Sequence, residues 1–199
     1  MMFINLNRFI NELPQTFDPY KYDPNPIAKL AKLAGMKYIV FTTKHHSGFC
    51  MWDTKTTEFK ITNIPYGKNL MKVFVEGTWK AGLAIGFYYS PEDFKFLRDN
   101  SVTINRGEVK LDGKTESAYN DLIRRQTRGA LNTPEQTIPG AGTDALWESC
   151  ITMGTQWQYK PTNDNLKTGG RLIELLIETR AKWGNLLLKI GPIPTCLEQ

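Results

Sequence analysis

Three times in this chain the same order of residues recurs: a segment with apolar side chains at helical spacing, a glycine, then a short run of β-branched, aromatic or leucine residues. Residues 26–34 carry the helical spacing, Gly35 follows as a C-cap, and residues 38–43 read as a strand. Residues 69–81, Gly82 and residues 83–89 repeat the order, with Gly77 a weak point inside the helix. Residues 172–182 and 185–190 repeat it again, with Gly184 expected to cap the helix. Strands that are apolar on both faces must be covered on both sides, and their alternation with helices is the pattern of a parallel α/β sheet. The chain is therefore expected to fold as a βα barrel or a doubly wound sheet. Between residues 93 and 142 no buried strand is legible, and residues 117–128 read as a helix.

Composition narrows the function classes. At 199 residues and 41% apolar content the chain can bury a core and reads as a single domain over residues 1–199. The net charge is +5, but lysine and arginine are interspersed with acidic residues, and no basic stripe with interleaved aromatics points to nucleic acid. No apolar run approaches the ~20 residues of a membrane span. Polar Asn5, Asn7, Arg8 and Asn11 interrupt the start, so no signal peptide is read and the chain as given is expected to be cytoplasmic. Cys50, Cys150 and Cys196 are odd in number and lack metal-ligand spacing, which suggests free thiols. Gly169-Gly170 and the glycines at 140 and 142 lack the spacing of a nucleotide-binding loop. No cofactor is expected.

The strand at 38–43 runs into Lys44, His45, His46, Ser47 and Gly48, and these are the two histidines of the chain. Polar residues at the carboxyl end of a parallel strand sit where α/β proteins build their sites. Two histidines there can hold a ligand hydroxyl, shuttle a proton or bind a metal, or one of them can be structural. With no Glu or His three or four residues away, they do not form a zinc motif, and no metal is expected. Successive strand residues face opposite ways, so both rings reach one site only where the strand ends or bulges.

The stretch from Lys44 through His45, His46, Ser47, Gly48, Phe49, Cys50, Met51 and Trp52 to Asp53 resembles the signature of the glycoside hydrolase family 29 α-L-fucosidases. Residues 16–19 and 34–38 are similar to that family's approach to its second barrel strand, and residues 86–90 to its third strand. Arg128-Gly129 with residues 133–136 resembles its arginine and acid/base region, Trp147 to Cys150 with Trp157 and Tyr159 its next strand and loop, and residues 184–188 with Gly191-Pro192 its closing strand. The resemblance is scattered over residues 16–194. It departs from the family at several points. Nothing before Thr16 resembles the family's first strand, the strand carrying the nucleophilic aspartate has no counterpart, and the C-terminal β-sandwich is missing. Ser47 stands where an acidic residue is usual, and Lys189 where asparagine is usual.

The resemblance implies an internally deleted α/β chain: a truncated (β/α) TIM-barrel-like domain, a partial barrel with about four parallel strands at 38–43, 83–89, 146–152 and 185–190. It implies cleavage of terminal α-L-fucose with retention of configuration, weak or lost, on a fucosylated glycan or fucoside. A retaining glycosidase needs two carboxyl groups. Glu135 matches an acid/base position. His45, His46, Trp52, Tyr89 and Arg128 are the expected substrate-binding residues, and the nucleophile is unknown. Glu92 and Asp93 follow the third strand and are either substitutes for it or solvated loop charges. The alternative is an inactive fucose- or carbohydrate-binding remnant. An open half-barrel would expose strand edges and an apolar inner face such as Ile39, Phe41, Ile85 and Phe87, so a homodimer or homotetramer is expected.

Overall fold

The computed structural model describes residues 8–102, 111–127, 136, 138, 140, 147–157 and 165–190. The chain divides into two compact units, Met1–Arg128 and Gly129–Gln199.

The first unit begins with a π-helical segment, Arg8–Glu12, and a single turn, α1 (Leu13–Thr16). It continues through α2 (Pro24–Leu33), β1 (Tyr38–Lys44), α3 (Leu70–Lys80), β2 (Ala84–Tyr89), α4 (Phe94–Asp99) and α5 (Gly113–Gln126). β1 and β2 pair in parallel, from Tyr38 beside Ala84 to Thr42 beside Tyr88. The register then shifts, and Lys44 rather than Thr43 meets Tyr89. Helices α2 and α3 cover one face of this pair. Ile39 packs on the cluster of Ala28, Ala31 and Leu83, and the Phe41 ring stacks on Phe74 at 4.9 Å. Ile39 and Phe41 therefore face the helix layer, not an inner barrel face. The expected strands are present, but Ile39 and Phe41 lie on the opposite side from the one assigned to them. Phe87, the register partner of Phe41, remains 51% exposed.

The second unit holds β3 (Glu148–Thr152), α6 (Gly169–Ala181) and β4 (Asn185–Lys189). β3 and β4 pair in parallel, Glu148 beside Asn185 through Thr152 beside Lys189. All four expected strands are thus present and parallel, but among the described residues they form two separate pairs rather than one sheet.

Helix starts follow simple rules. Asp23, Asn69, Asp93, Asp112 and Thr168 each accept a bond from a backbone N–H of the first turn. Four helix ends share one geometry. After α2, Gly35 N–H donates to the Lys32 carbonyl and Met36 N–H to that of Ala31. Gly82 and Leu83 repeat the pair of bonds after α3, Ser101 and Val102 after α4, and Trp183 and Gly184 after α6. These are Schellman closures, whose first extra-helical residue takes positive φ. At α2 and α3 that residue is glycine, with φ of 73° in both. At α6 it is Trp183, with φ of 64°, and not Gly184 as the sequence suggested. Gly184 serves a different need: a Cβ there would lie 2.3 Å from the Trp147 indole. Gly77 is likewise a contact residue, since a Cβ would meet Pro24 Cγ at 2.3 Å where α3 crosses α2.

Candidate active site

The bulge at the end of β1 decides where the two histidines go. Thr43 steps out of the ladder, and its hydroxyl donates to the Tyr88 carbonyl at 2.9 Å. The chain then turns, with Gly48 N–H donating to the His45 carbonyl at 3.0 Å. The His45 and His46 rings lie together, centroids 4.1 Å apart and nearly perpendicular. His45 stacks against Tyr88 at 6.0 Å, and His46 against Phe94 at 5.8 Å. His46 Nδ1 sits 2.7 Å from the Ser90 hydroxyl and 3.0 Å from a Glu92 carboxylate oxygen.

Beneath the histidines lies a charged core. The Lys44 ammonium is fully enclosed and donates to the carbonyls of Ser90 and Glu92, each at 2.9 Å. It also lies 3.5 Å from Asp93 Oδ2 and 4.5 Å from the centre of the Tyr89 ring. Burial lowers the lysine's pKa, and Asp93 partly opposes the shift. Asp93 is 6% exposed and accepts from the Phe96 N–H at 2.9 Å, so it is a buried cap and ion partner rather than a solvated loop charge. Gly48, at φ +87°, is forced by the same residue: a Cβ would fall 2.3 Å from Asp93 Oδ1. Glu92, by contrast, is exposed.

Tyr89 does not present its hydroxyl to the histidines. It donates to Gln126 Oε1 at 2.5 Å, and Gln126 Nε2 donates in turn to the Thr56 hydroxyl at 2.6 Å. Burial raises the Tyr89 phenol above its ordinary range. Cys50 lies wholly buried beside this network, its thiol pushed up to about 12 by desolvation.

On the His45 side is a cavity of about 410 Å³. Phe9, Leu13 and Phe17 from the N-terminal segment wall it with Phe49, Met51 and Phe59, and Thr42, Lys44, His45 and Ser47 supply its polar edge. Trp52 is half-buried in the loop after β1 and does not line this cavity. The structure thus brings His45 and His46 together, sets Tyr89 beneath them through Lys44, and leaves Trp52 outside the cavity. Glu135 and Arg128 lie outside the described residues. Sequence reasoning assigned no role to Lys44, Ser90 or Gln126. A lysine closing an otherwise apolar strand was the available signal for the first; nothing local marks Gln126, whose partners lie 37 and 70 residues away. Among the described residues, no cluster of His, Cys, Asp and Glu has the arrangement to hold a metal ion, and no helix is long and apolar enough to cross a membrane.

The family model for alpha-L-fucosidase matches residues 7–120 and again 101–196. The chain belongs to the α-L-fucosidase family, as the His-His signature implied. A putative alpha-L-fucosidase of Caenorhabditis elegans is 24% identical over 237 residues, covering 91% of this chain and 49% of that protein. Putative alpha-L-fucosidase 1 of Oryza sativa subsp. japonica is 32% identical over 187 residues, covering 80% of this chain and 36% of the relative. The chain thus spans about half or less of these relatives. The first alignment is longer than the 199-residue chain, so part of the relative inside the matched span has no counterpart here. Among solved structures, alpha-L-fucosidase isoenzyme 1 from Paenibacillus thiaminolyticus superposes with a TM-score of 0.65 at 27% identity, over 96% of this chain and 63% of that one. An alpha-L-fucosidase from Lactobacillus casei in complex with its alpha-L-fucose product superposes at 0.68, with 22% identity over 97% of this chain and 79% of that one, a likeness of fold.

Proposed function

We propose that this chain is an α-L-fucosidase-like glycoside hydrolase domain that recognises terminal α-L-fucose on a glycan or fucoside, with weak or lost turnover and retention of configuration in what remains. The observation that carries the reading is the His45–His46 pair, rings 4.1 Å apart at the bulged end of β1, in a chain of the fucosidase family. Neutral imidazoles suit the recognition of sugar hydroxyls. The apolar cavity beside His45 suits the methyl group of a 6-deoxy sugar. Glu135 is the acid/base in this reading, and Arg128 a substrate ligand, both by family resemblance. Trp52 and Tyr89 complete the proposed set, Tyr89 acting through Lys44 rather than by its hydroxyl.

Weak turnover is proposed because the family's nucleophile-bearing strand has no counterpart in the sequence. Asp93 is committed to the α4 N-terminus and to Lys44, so using it as a nucleophile would mean breaking both contacts. Glu92 is exposed but already engaged with His46. The alternative, a fucose-binding domain without activity, gains weight from the same two engagements. The fold reading is a single truncated barrel domain over residues 1–199 that self-associates as a homodimer or homotetramer.

A chromogenic α-L-fucoside and isothermal titration with L-fucose separate these readings. His45→Ala is expected to weaken L-fucose binding about tenfold, near the 1–3 kcal/mol of an unmade buried hydrogen bond. Glu135→Ala is expected to abolish residual turnover while leaving binding within about twofold. Binding and turnover untouched by both changes would remove the reading.

A further inference from the structure

We propose that Glu92 and Ser90 hold His46 in the tautomer that carries its proton on Nδ1, so that Nε2 meets the ligand as a hydrogen-bond acceptor. A carboxylate can only accept. With a Glu92 oxygen 3.0 Å from Nδ1, a proton on that nitrogen faces the carboxylate charge and is favoured by it. The Ser90 hydroxyl, 2.7 Å from Nδ1, accepts from that N–H in this tautomer and would donate to the bare nitrogen in the other. The opposite arrangement would set the Nδ1 lone pair against the carboxylate charge at contact distance. Neutral free histidine favours the Nε2–H form, so the site imposes the less common one.

The two acceptors are themselves held. Lys44 Nζ binds the carbonyls of both Ser90 and Glu92, and Ser90 N–H donates to the Lys44 carbonyl at 3.0 Å. Phe94 N–H donates to the His46 carbonyl at 2.8 Å, and the Phe94 ring stacks on the imidazole. The segment 90–94 is therefore bonded to the residues on both sides of His45, and Lys44 is the positioning residue that places it. The consequence is a preference among ligands. A bare Nε2 takes a proton from a hydroxyl and is blind to carbonyls and carboxylates, which have none to give. The group recognised at His46 is a hydrogen-bond donor. Its identification as a hydroxyl of fucose rests on the function proposed above.

Nitrogen chemical shifts of the imidazoles, from long-range ¹H–¹⁵N correlation at about pH 8.5 where an ordinary histidine is neutral, read the tautomer directly. The chain has two histidines, and His45→Ala assigns the pair. We expect Nδ1–H for His46 in the wild type. Glu92 is exposed, so its substitution leaves the core intact. Glu92→Gln keeps an accepting oxygen and should keep the tautomer; the double change Ser90→Ala with Glu92→Ala should move it to Nε2–H. L-Fucose affinity should fall about fivefold to tenfold in Glu92→Ala and stay within about twofold in Glu92→Gln. An Nε2–H wild type, or a tautomer unmoved by the double substitution, overturns the proposal. An Nδ1–H signal that depends on Glu92 in a chain that does not bind L-fucose upholds it, and overturns the fucose reading instead.

Discussion

Lys44 is the residue on which the site turns. Its ammonium is enclosed with Asp93, two carbonyls and the Tyr89 ring, and a buried charge is tolerated only when so paired. Lys44→Met removes the cation and leaves Asp93 buried without it, and should cost about 3–5 kcal/mol in chemical denaturation. A loss under about 1 kcal/mol would mean that the pair is solvated. Cys50 shows burial acting on a neutral group. Its thiol, raised from 9.0 to about 12, is protected from alkylation near pH 8 in the folded chain and should react with iodoacetamide only after denaturation. Tyr22 and Tyr119, raised from 10.0 to about 12, behave alike. A folded pKa above the unfolded one stabilises fully below the unfolded value and is lost as pH climbs through the folded value. Lys44 works in the opposite sense, since its depressed pKa relieves a burial cost as pH rises. Together with Tyr89, whose phenol burial also raises, these groups outweigh Lys44 and predict a falling melting temperature between about pH 9 and 12, measurable by circular dichroism. A flat or rising profile would contradict the burial of these groups.

At the scale of elements, the Schellman closures carry a stability consequence. Trp183 holds φ of 64° with its side chain 84% exposed, so it bears backbone strain and contributes little packing. Trp183→Gly should stabilise by about 1 kcal/mol, raising the melting temperature about 2–4 °C. A decrease would show that the indole is covered in solution. Gly77 inverts the usual rule. Alanine for glycine inside a helix ordinarily gains about 1 kcal/mol, but here the new methyl enters Pro24, and Gly77→Ala should destabilise by about 1–3 kcal/mol. Urea denaturation of both variants checks the pair, with opposite signs expected. The helix–glycine–strand order predicted α2, α3 and α6 and the strands after them to within a few residues, because spacing and termination are local properties, while α4 was not read from it. It misassigned Gly184 because a glycine required by a tryptophan 37 residues earlier looks the same in sequence as one required by φ.

For the whole molecule, open edges are the governing feature. Among the described residues each sheet has two strands, so every strand has an unpaired side. In the first unit Phe87 is 51% exposed, and in the second α6 turns out Ile173, Leu176 and Ile177 at 59%, 46% and 63%. Edges and apolar stripes of this kind template association. A mass of two or four chains by light scattering after size exclusion, persisting on dilution, is the expected outcome, and a single-chain mass across dilutions would refute it. If these stripes form the contact, Ile177→Glu should shift the mass toward one chain, because a carboxylate inside an apolar contact carries a large desolvation cost.

The sequence by itself determined the element order, the parallel sense of the strands, the family and the place of the histidine pair. Each of these depends on residues within a few positions of one another, or on a motif read in one stretch. Only the tertiary structure decided which face of β1 meets the helices, that Asp93 is buried against Lys44 rather than solvated, that Tyr89 turns its hydroxyl to Gln126, and that Ser90 and Glu92 close on His46. The last three are contacts across some 37 to 49 residues of chain, next to a one-residue register shift at Thr43. Period-two alternation leaves the choice of face undetermined until a partner layer packs on it, and a buried charge is recognisable only once its counter-charge has been brought beside it.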